Sequence, residues 1–367
     1  MAEKRMSPSG GFLIQSREGN AGNFEVVIPW SDSGLAHFGR ANDTPGFPWL
    51  GPFRFGAGYH YLGASVIESD FKEHPDRDLG NLEVLATTSS GEVHHYWREN
   101  GGAFRWNGPF RVFDRATTAP SLAYTRQTVA GSSFYVVAGN LDRGLQYWER
   151  RNQPTIMWIP WDGTAPTVFV GMSLALTAIG AASPHAEYSE AGVGGDHIVA
   201  AVSNDGNVHL VVEGVGGHIH VENGIPSFRN WLDHAAIGVE MFFELHGQFR
   251  GRPSLIQGDY NLEEPALFRH GHYGNLELIV PAARGGFFHF WRISGIPGYE
   301  RQKISWGWGG PVKVSGPIYD EVSMIQSSFS RSDHGNLEVV ARHRDQMGFD
   351  FYWRDEAFAW HGPFPVS

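Results

Sequence analysis

Short apolar segments of four to six residues recur along this chain, bounded by glycine, asparagine, serine or proline, and few stretches keep a helical period. One type of segment reads FLIQ from Phe12, SVIE from Ser65, SLAY from Ser121, SLAL from Ser173, SLIQ from Ser254 and SMIQ from Ser323. A second follows each time: NFEVVI, NLEVLA, SFYVVA, DHIVAA, NLELIV and NLEVVA. A tight turn then leads to a third, which contains LAHFGR, VHHYWR, LQYWER, VHLVVE, FFHFWR or DFYWR. The fourth is clear as WLGPF, WNGPF, WGGPV and WHGPF, and looser from Trp158 to Trp161 and at Trp231.

Four short β-rich segments in each of six units predict an all-β fold, a six-bladed β-propeller of four-stranded antiparallel blades. Residues 1–367 then make one domain, with blades starting near residues 11, 63, 119, 172, 252 and 322. The first and last units are among the best formed, which suits a closed ring better than a solenoid with capping ends.

A glutamate near the start of the second segment and an arginine near the end of the third recur together in four units. Glu83 and Arg98 are equidistant from the turn at Ser90-Gly91, so an antiparallel hairpin is expected to set them opposite each other as a cross-strand salt bridge. The same counting pairs Glu25 with Arg40 and Glu277 with Arg292, and pairs Glu338 with Arg354 once a bulge absorbs one residue. Tyr135 and Ile198 stand at the glutamate position of the other two units. Trp97, Trp148, Trp291 and Trp353, beside these positions, are expected to pack between blades. His37, His95, His209 and His289 recur in the third segment, but equivalent positions of different blades are too far apart to share an ion, and HExxH is absent. No metal is expected.

Composition narrows the function. A formal net charge of −11, without a lysine or arginine stripe, excludes a nucleic-acid backbone as partner. The chain has no cysteine, which removes disulfides, thiolate metal sites and a cysteine nucleophile. No run approaches the roughly 18 apolar residues of a membrane span, and MAEKRMSPSG lacks the apolar core of a signal peptide, so a soluble chain of open compartment is expected. Asn42-Asp43-Thr44 fits the N-glycosylation sequon. Nucleophile-elbow, phosphate-loop, dinucleotide and zincin patterns are missing, which argues against common hydrolases and redox enzymes.

The units differ mainly in their loops. Those between first and second segments lengthen at Phe71 to Leu79, Gly180 to Gly194 and Gly258 to Tyr273, and those between third and fourth lengthen at Ile293 to Lys303. In an up-and-down blade both loop classes share one face, where a single specialised site is expected. Tyr188 and His270 are its candidate catalytic groups, with His185, Phe242 and Tyr273 as substrate contacts. Gly224 to Arg250, which contains Phe242, is expected to add a short helix or a lid. The fourth position of the innermost strand runs Gln15, Glu68, Tyr124, Leu176, Gln257, Gln326, a polar ring near the axis whose polar members join the candidate substrate contacts.

The six-unit repeat rich in Trp, Gly and Arg resembles the fucose-binding propeller lectins of fungi and bacteria over the whole chain. That resemblance implies sugar sites built from an arginine, a glutamate and an aromatic group shared by adjacent blades. The texture of the repeat is also similar to the fungal propeller-like enzymes of tropolonic sesquiterpene biosynthesis. That likeness implies a cofactor-free hetero-Diels–Alderase, whose one pocket joins an apolar terpene to a tropolone-derived quinone methide. Because the unequal loops favour one site over six, the leading expectation is this enzyme, acting by positioning its small-molecule apolar substrate without any cofactor. A fucose-type lectin is the alternative, and a scaffold for protein contacts comes third.

Overall fold

The computed structural model describes residues 11–71, 79–101, 104–125, 133–140, 144–151, 157–161, 169–176, 197–203, 208–213, 221–222, 225–226, 231–237, 248–258, 260, 275–292, 308–329, 335–344 and 347–367. Among them lie six four-stranded antiparallel sheets. The first holds β1 (Leu13–Gln15), β2 (Phe24–Pro29), β3 (Leu35–Arg40) and β4 (Trp49–Phe55). The second holds β5 (Tyr61–Glu68), β6 (Leu82–Thr88), β7 (Val93–Arg98) and β8 (Trp106–Phe113). β9 (Ser121–Thr125), β10 (Ser133–Asn140), β11 (Gly144–Arg151) and β12 (Met157–Trp161) form the third.

The fourth sheet, described chiefly by its backbone, runs through β13 (Phe169–Leu176), β14 (His197–Ser203) and β15 (Val208–Glu213). A small hairpin of β16 (Val221–Glu222) and β17 (Ile225–Pro226) then precedes its outer strand, β18 (Trp231–Ile237). The described part of the segment expected to hold a helix or lid is therefore extended. β19 (Ser254–Gln257), β20 (Leu276–Pro281), β21 (Phe287–Arg292) and β22 (Trp308–Val314) form the fifth sheet. β23 (Tyr319–Gln326), β24 (Leu337–His343), β25 (Phe349–Arg354) and β26 (Trp360–Val366) form the sixth.

The innermost strands neighbour one another in the cycle β1, β5, β9, β13, β19, β23 and back to β1. The architecture is an all-β propeller of four-stranded antiparallel blades. The serine that opens most first segments makes the joints. Ser65 Oγ accepts from Leu122 N and donates to Gly11 O, both at 3.0 Å. Ser173, Ser254 and Ser323 accept from the amides of Leu255, Met324 and Phe12 at 2.9 to 3.1 Å. Arg252 is fully buried and donates to the carbonyls of Met172, Ala64 and Pro120, each on or next to a different inner strand.

The core is a set of wedges between blades. One wedge packs Phe12, Phe24, Val26 and Phe38 of the first sheet against Ile325, Val340, Phe349 and Phe351 of the sixth. β2, β6 and β20 are buried along nearly their whole length, so their runs read as continuous apolar segments and not as an alternation. The outer tryptophans bridge the blades: Trp106 stacks on Phe55 at 3.9 Å, Trp49 meets Phe349 at 5.1 Å and Trp360 meets Phe287 at 5.3 Å. Of the tryptophans expected in that role, Trp148 reaches the neighbouring blade, stacked 4.9 Å from Phe113. Trp353 packs against the wedge between the first and sixth blades and also stacks on Phe364 of its own blade, and Trp97 stacks on Phe110 of its own blade.

The hairpin register corrects the expected salt bridges. Glu25 lies opposite Gly39, Glu83 opposite Trp97, Glu277 opposite Trp291 and Glu338 opposite Trp353. The second-blade turn is centred on Ser90 itself and not on the Ser90-Gly91 bond, which shifts the pairing by one residue. A one-residue shift sends glutamate and arginine to opposite faces of the sheet.

The Gly-Pro of each clear fourth segment sits at an irregularity of the outer strand. Gly51, Gly108, Gly310 and Gly362 have φ between 98° and 129°, where a side chain would be strained and would press on the carbonyl across the ladder. Proline also withholds an N–H from the exposed edge, which blunts it against pairing with another chain.

Candidate functional site

On that other face the arginines of the first, third and sixth blades are linked to the glutamate of the preceding blade. Arg40 of the first blade lies with Glu338 of the sixth, and Arg150 Nη1 is 3.9 Å from Glu83 Oε2 of the second. Between the fifth and sixth blades the link passes through histidine: Arg354 Nη1 donates to His289 Nδ1 at 3.4 Å, and His289 Nε2 donates to Glu277 at 2.7 Å. Burial pushes the His289 imidazole down, although Glu277 pulls it up, which keeps it neutral with its proton on Nε2. His37 and His95 hold Glu25 and Glu83 in the same way, each at 2.6 Å. Three of the four recurring histidines are therefore partners of carboxylates, and the side chain of His209 lies outside the described residues.

Aromatic rings box in these arginines. The Arg40 guanidinium lies 3.9 Å from the Phe24 ring centre, 4.8 Å from Phe351, 5.3 Å from Phe47 and 5.6 Å from Phe329. Arg150 has Phe134, Phe71 and Trp158, and Arg354 has Tyr260 and Phe358 at 5.0 and 5.2 Å. Arg98 lies 5.2 Å from Phe104 and 3.4 Å from Glu18, whose carboxyl is pushed up first by burial and then by Glu25. Burial pushes Arg40 down to about 10, which leaves it cationic at neutral pH.

Phe47, Phe104 and Phe358 share an unusual geometry. Each has left-handed φ, 48°, 49° and 62°, which is rare for a bulky residue and costs on the order of 1–2 kcal/mol. Each amide donates back three residues, to Thr44, Gly101 and Asp355, closing the same turn. Their exposures are 47%, 37% and 64%, so strain holds an apolar ring in solvent above a cation. The motifs GFPW, AFRW and AFAW carry this repeat, and reading them with the fourth segment would have revealed it. The constant twelve-residue step from Glu25 to His37, Glu83 to His95 and Glu277 to His289 was the second missed signal.

The residues expected at the site fall into two groups. Gln15, Glu68 and Gln326 end their inner strands and Tyr124 stands one residue before the end of its own, at one mouth of the ring, each engaged by the protein. Gln15 Nε2 donates to Ala21 O and Ser328 Oγ at 2.7 Å, and Glu68 accepts from Arg17 Nε at 2.8 Å and from Gly80 N. The Tyr124 hydroxyl donates to Asp70, and Gln326 Nε2 to Gly335 O at 3.3 Å. Gln257 ends β19, but its side chain lies outside the described residues, as do Tyr188, His185, Phe242, His270 and Tyr273. The sequon residue Asn42 is buried, donating to Gly22 O and accepting from Arg40 Nε, both at 2.6 Å. The folded chain offers no free amide there for a glycan.

No protein-family model matches this sequence, and no curated protein is similar to it. Solved structures do match. The BP39L lectin of Burkholderia pseudomallei superposes with a TM-score of 0.54 and 16% identity, over 100% of this chain and 86% of that one. The likeness is one of fold. The SapL1 lectin, solved in complex with α-methyl fucoside, gives 0.58 and 16% over 98% and 96%. A lectin of Aleuria aurantia, described as a six-bladed β-propeller with a novel fucose recognition mode, gives 0.53 and 11% over 95% and 92%. No helix among the described residues is long and apolar enough to cross a membrane.

Proposed function

We propose that this chain is a carbohydrate-binding propeller of six blades, with sugar sites in the clefts between blades on the face carrying Phe47, Phe104 and Phe358. The exposed phenylalanine held in a left-handed turn over a buried or nearly buried arginine, repeated in three blades, is the observation that carries this reading. A pyranose presents an apolar face to such a ring, while its hydroxyls accept from guanidinium and donate to carboxylate. An arginine, a carboxylate and an aromatic group drawn from two blades supply that set. A fucoside is the ligand to try first, since two of the lectin neighbours carry fucose in their descriptions.

The hetero-Diels–Alderase reading draws no support from these neighbours, all of which are lectins. A glycan array followed by calorimetric titration with methyl α-L-fucoside separates the two. More than one equivalent bound per chain, falling by about one in Phe358→Ala, is expected. A single site, or no glycan bound at all, would overturn the proposal.

A further inference from the structure

On the opposite face, at the seam between the first and sixth blades, lies a cleft of about 350 Å³. Ligand pockets run from roughly 300 to 1,000 Å³, so this one suits a compound of a single ring. Ile28, Trp30 and Met347 form an apolar side, while His60, Arg342 and Arg344 supply polar groups. Three blades contribute: Ile28 in β2 and Trp30 just after it, His60 just before β5, and Arg342 in β24 with Met347 in the turn that follows.

Basic side chains gather at this end of the seam. Asp320 is shared by Arg250 at 3.8 Å and Arg344 at 3.9 Å, and Glu321 by Arg342 at 3.4 Å and the buried Arg252. The nearby Asp350 is taken by the Tyr319 hydroxyl and by His343 at 3.3 Å. Arg342 lines the cleft, its Nη2 shared between Glu321 at 3.4 Å and Leu62 O at 3.5 Å, both long enough to yield to a closer oxygen. Arg344 is half exposed, so its head can reach a ligand at the rim.

An apolar wall beside a cationic edge selects a flat apolar body carrying an anionic oxygen pair. We propose that this cleft is a second ligand site, which takes a small aromatic carboxylate with its ring against Trp30 and Met347 and its carboxylate on Arg342 and Arg344. The site is independent of the sugar clefts, which lie at the other ends of the strands.

Calorimetric titration with phenylacetate, using phenylacetamide as its neutral match, tests this directly. One equivalent of phenylacetate is expected, bound at least tenfold more tightly than the amide, weakened by salt, and unchanged by saturating methyl α-L-fucoside. Arg344→Gln and Trp30→Leu, each checked for an unaltered circular dichroism spectrum, should each weaken it about tenfold. Equal binding of acid and amide, or affinity unchanged in both variants, would overturn the site. Neither result bears on sugar binding, because the fucoside titration is read separately.

Discussion

Glu83 and Glu338 occupy the same place in their blades, yet their surroundings differ by one residue. Ser69 donates to Glu83 at 3.1 Å as Ser327 does to Glu338 at 3.0 Å. The second oxygen of Glu83 receives His95 at 2.6 Å, whereas Phe351 stands where histidine would be for Glu338, whose Oε2 has no hydrogen-bond partner. Burial then pushes the Glu338 carboxyl up to about 7, against the pull of Arg40 and Ser327. The comparison separates two uses of one position. A carboxylate with histidine and arginine partners fastens two blades, and one stripped of its histidine becomes titratable in the neutral range.

The largest expected effect tests the fastened side. Glu83→Gln leaves His95 and Arg150 without their carboxylate in a buried seam, so a loss of about 3 kcal/mol is expected in urea unfolding at pH 8. Glu338→Gln at the same pH should be neutral or stabilising. Equal losses in the two variants would abolish the distinction.

Next comes the pH profile of Glu338. Its folded value of about 7 lies above the ordinary 4.5, so the folded protein holds this proton more tightly than the unfolded chain does. Its favourable contribution is complete below pH 4.5 and is lost as pH rises through 7, a span of about 3 kcal/mol. Subtracting the unfolding free energy of Glu338→Gln from that of the parent chain between pH 4.5 and 8 should reveal a fall of that size. A flat difference would mean that Arg40 keeps Glu338 ionised against its burial.

The blade repeat was legible in the sequence because apolar wedges and a bulged Gly-Pro edge impose the same residues in unit after unit. The Glu/Arg partnership was not, for a half-residue shift of the turn centre decides which face each side chain takes, and turn centres leave little trace in composition. Glu83 and Arg98 looked paired by counting, while their partners, His95 and Glu18, required knowledge of which blade edge faces which. The exposed phenylalanines were overlooked for a related reason. An aromatic residue next to tryptophan reads as core, and only its left-handed backbone shows that Phe358 faces water.

A smaller effect is expected from restoring what the sixth blade lacks. Phe351→His places an imidazole opposite Val340, the register position that His37 holds opposite Val27. The pH-dependent span of Glu338 should shrink by about 1–2 kcal/mol as the new N–H stabilises the carboxylate. If the span is unchanged, the missing histidine is not the cause of the raised value.

The smallest expected change in stability separates strain from packing on the face that carries Phe47, Phe104 and Phe358. Phe358→Gly removes a ring that is 64% exposed and frees a left-handed residue. Relief of roughly 1 kcal/mol of backbone strain offsets the loss of the contacts with Arg354 and Tyr260. Thermal unfolding should therefore move by only a few degrees in either direction. The number of fucoside equivalents should nevertheless fall by about one, because the platform of the cleft between the fifth and sixth blades is gone. A large fall in melting temperature would make Phe358 a packing residue, and the strain would then serve the fold; an unchanged stoichiometry with unchanged stability would leave the exposed ring without a ligand to bind.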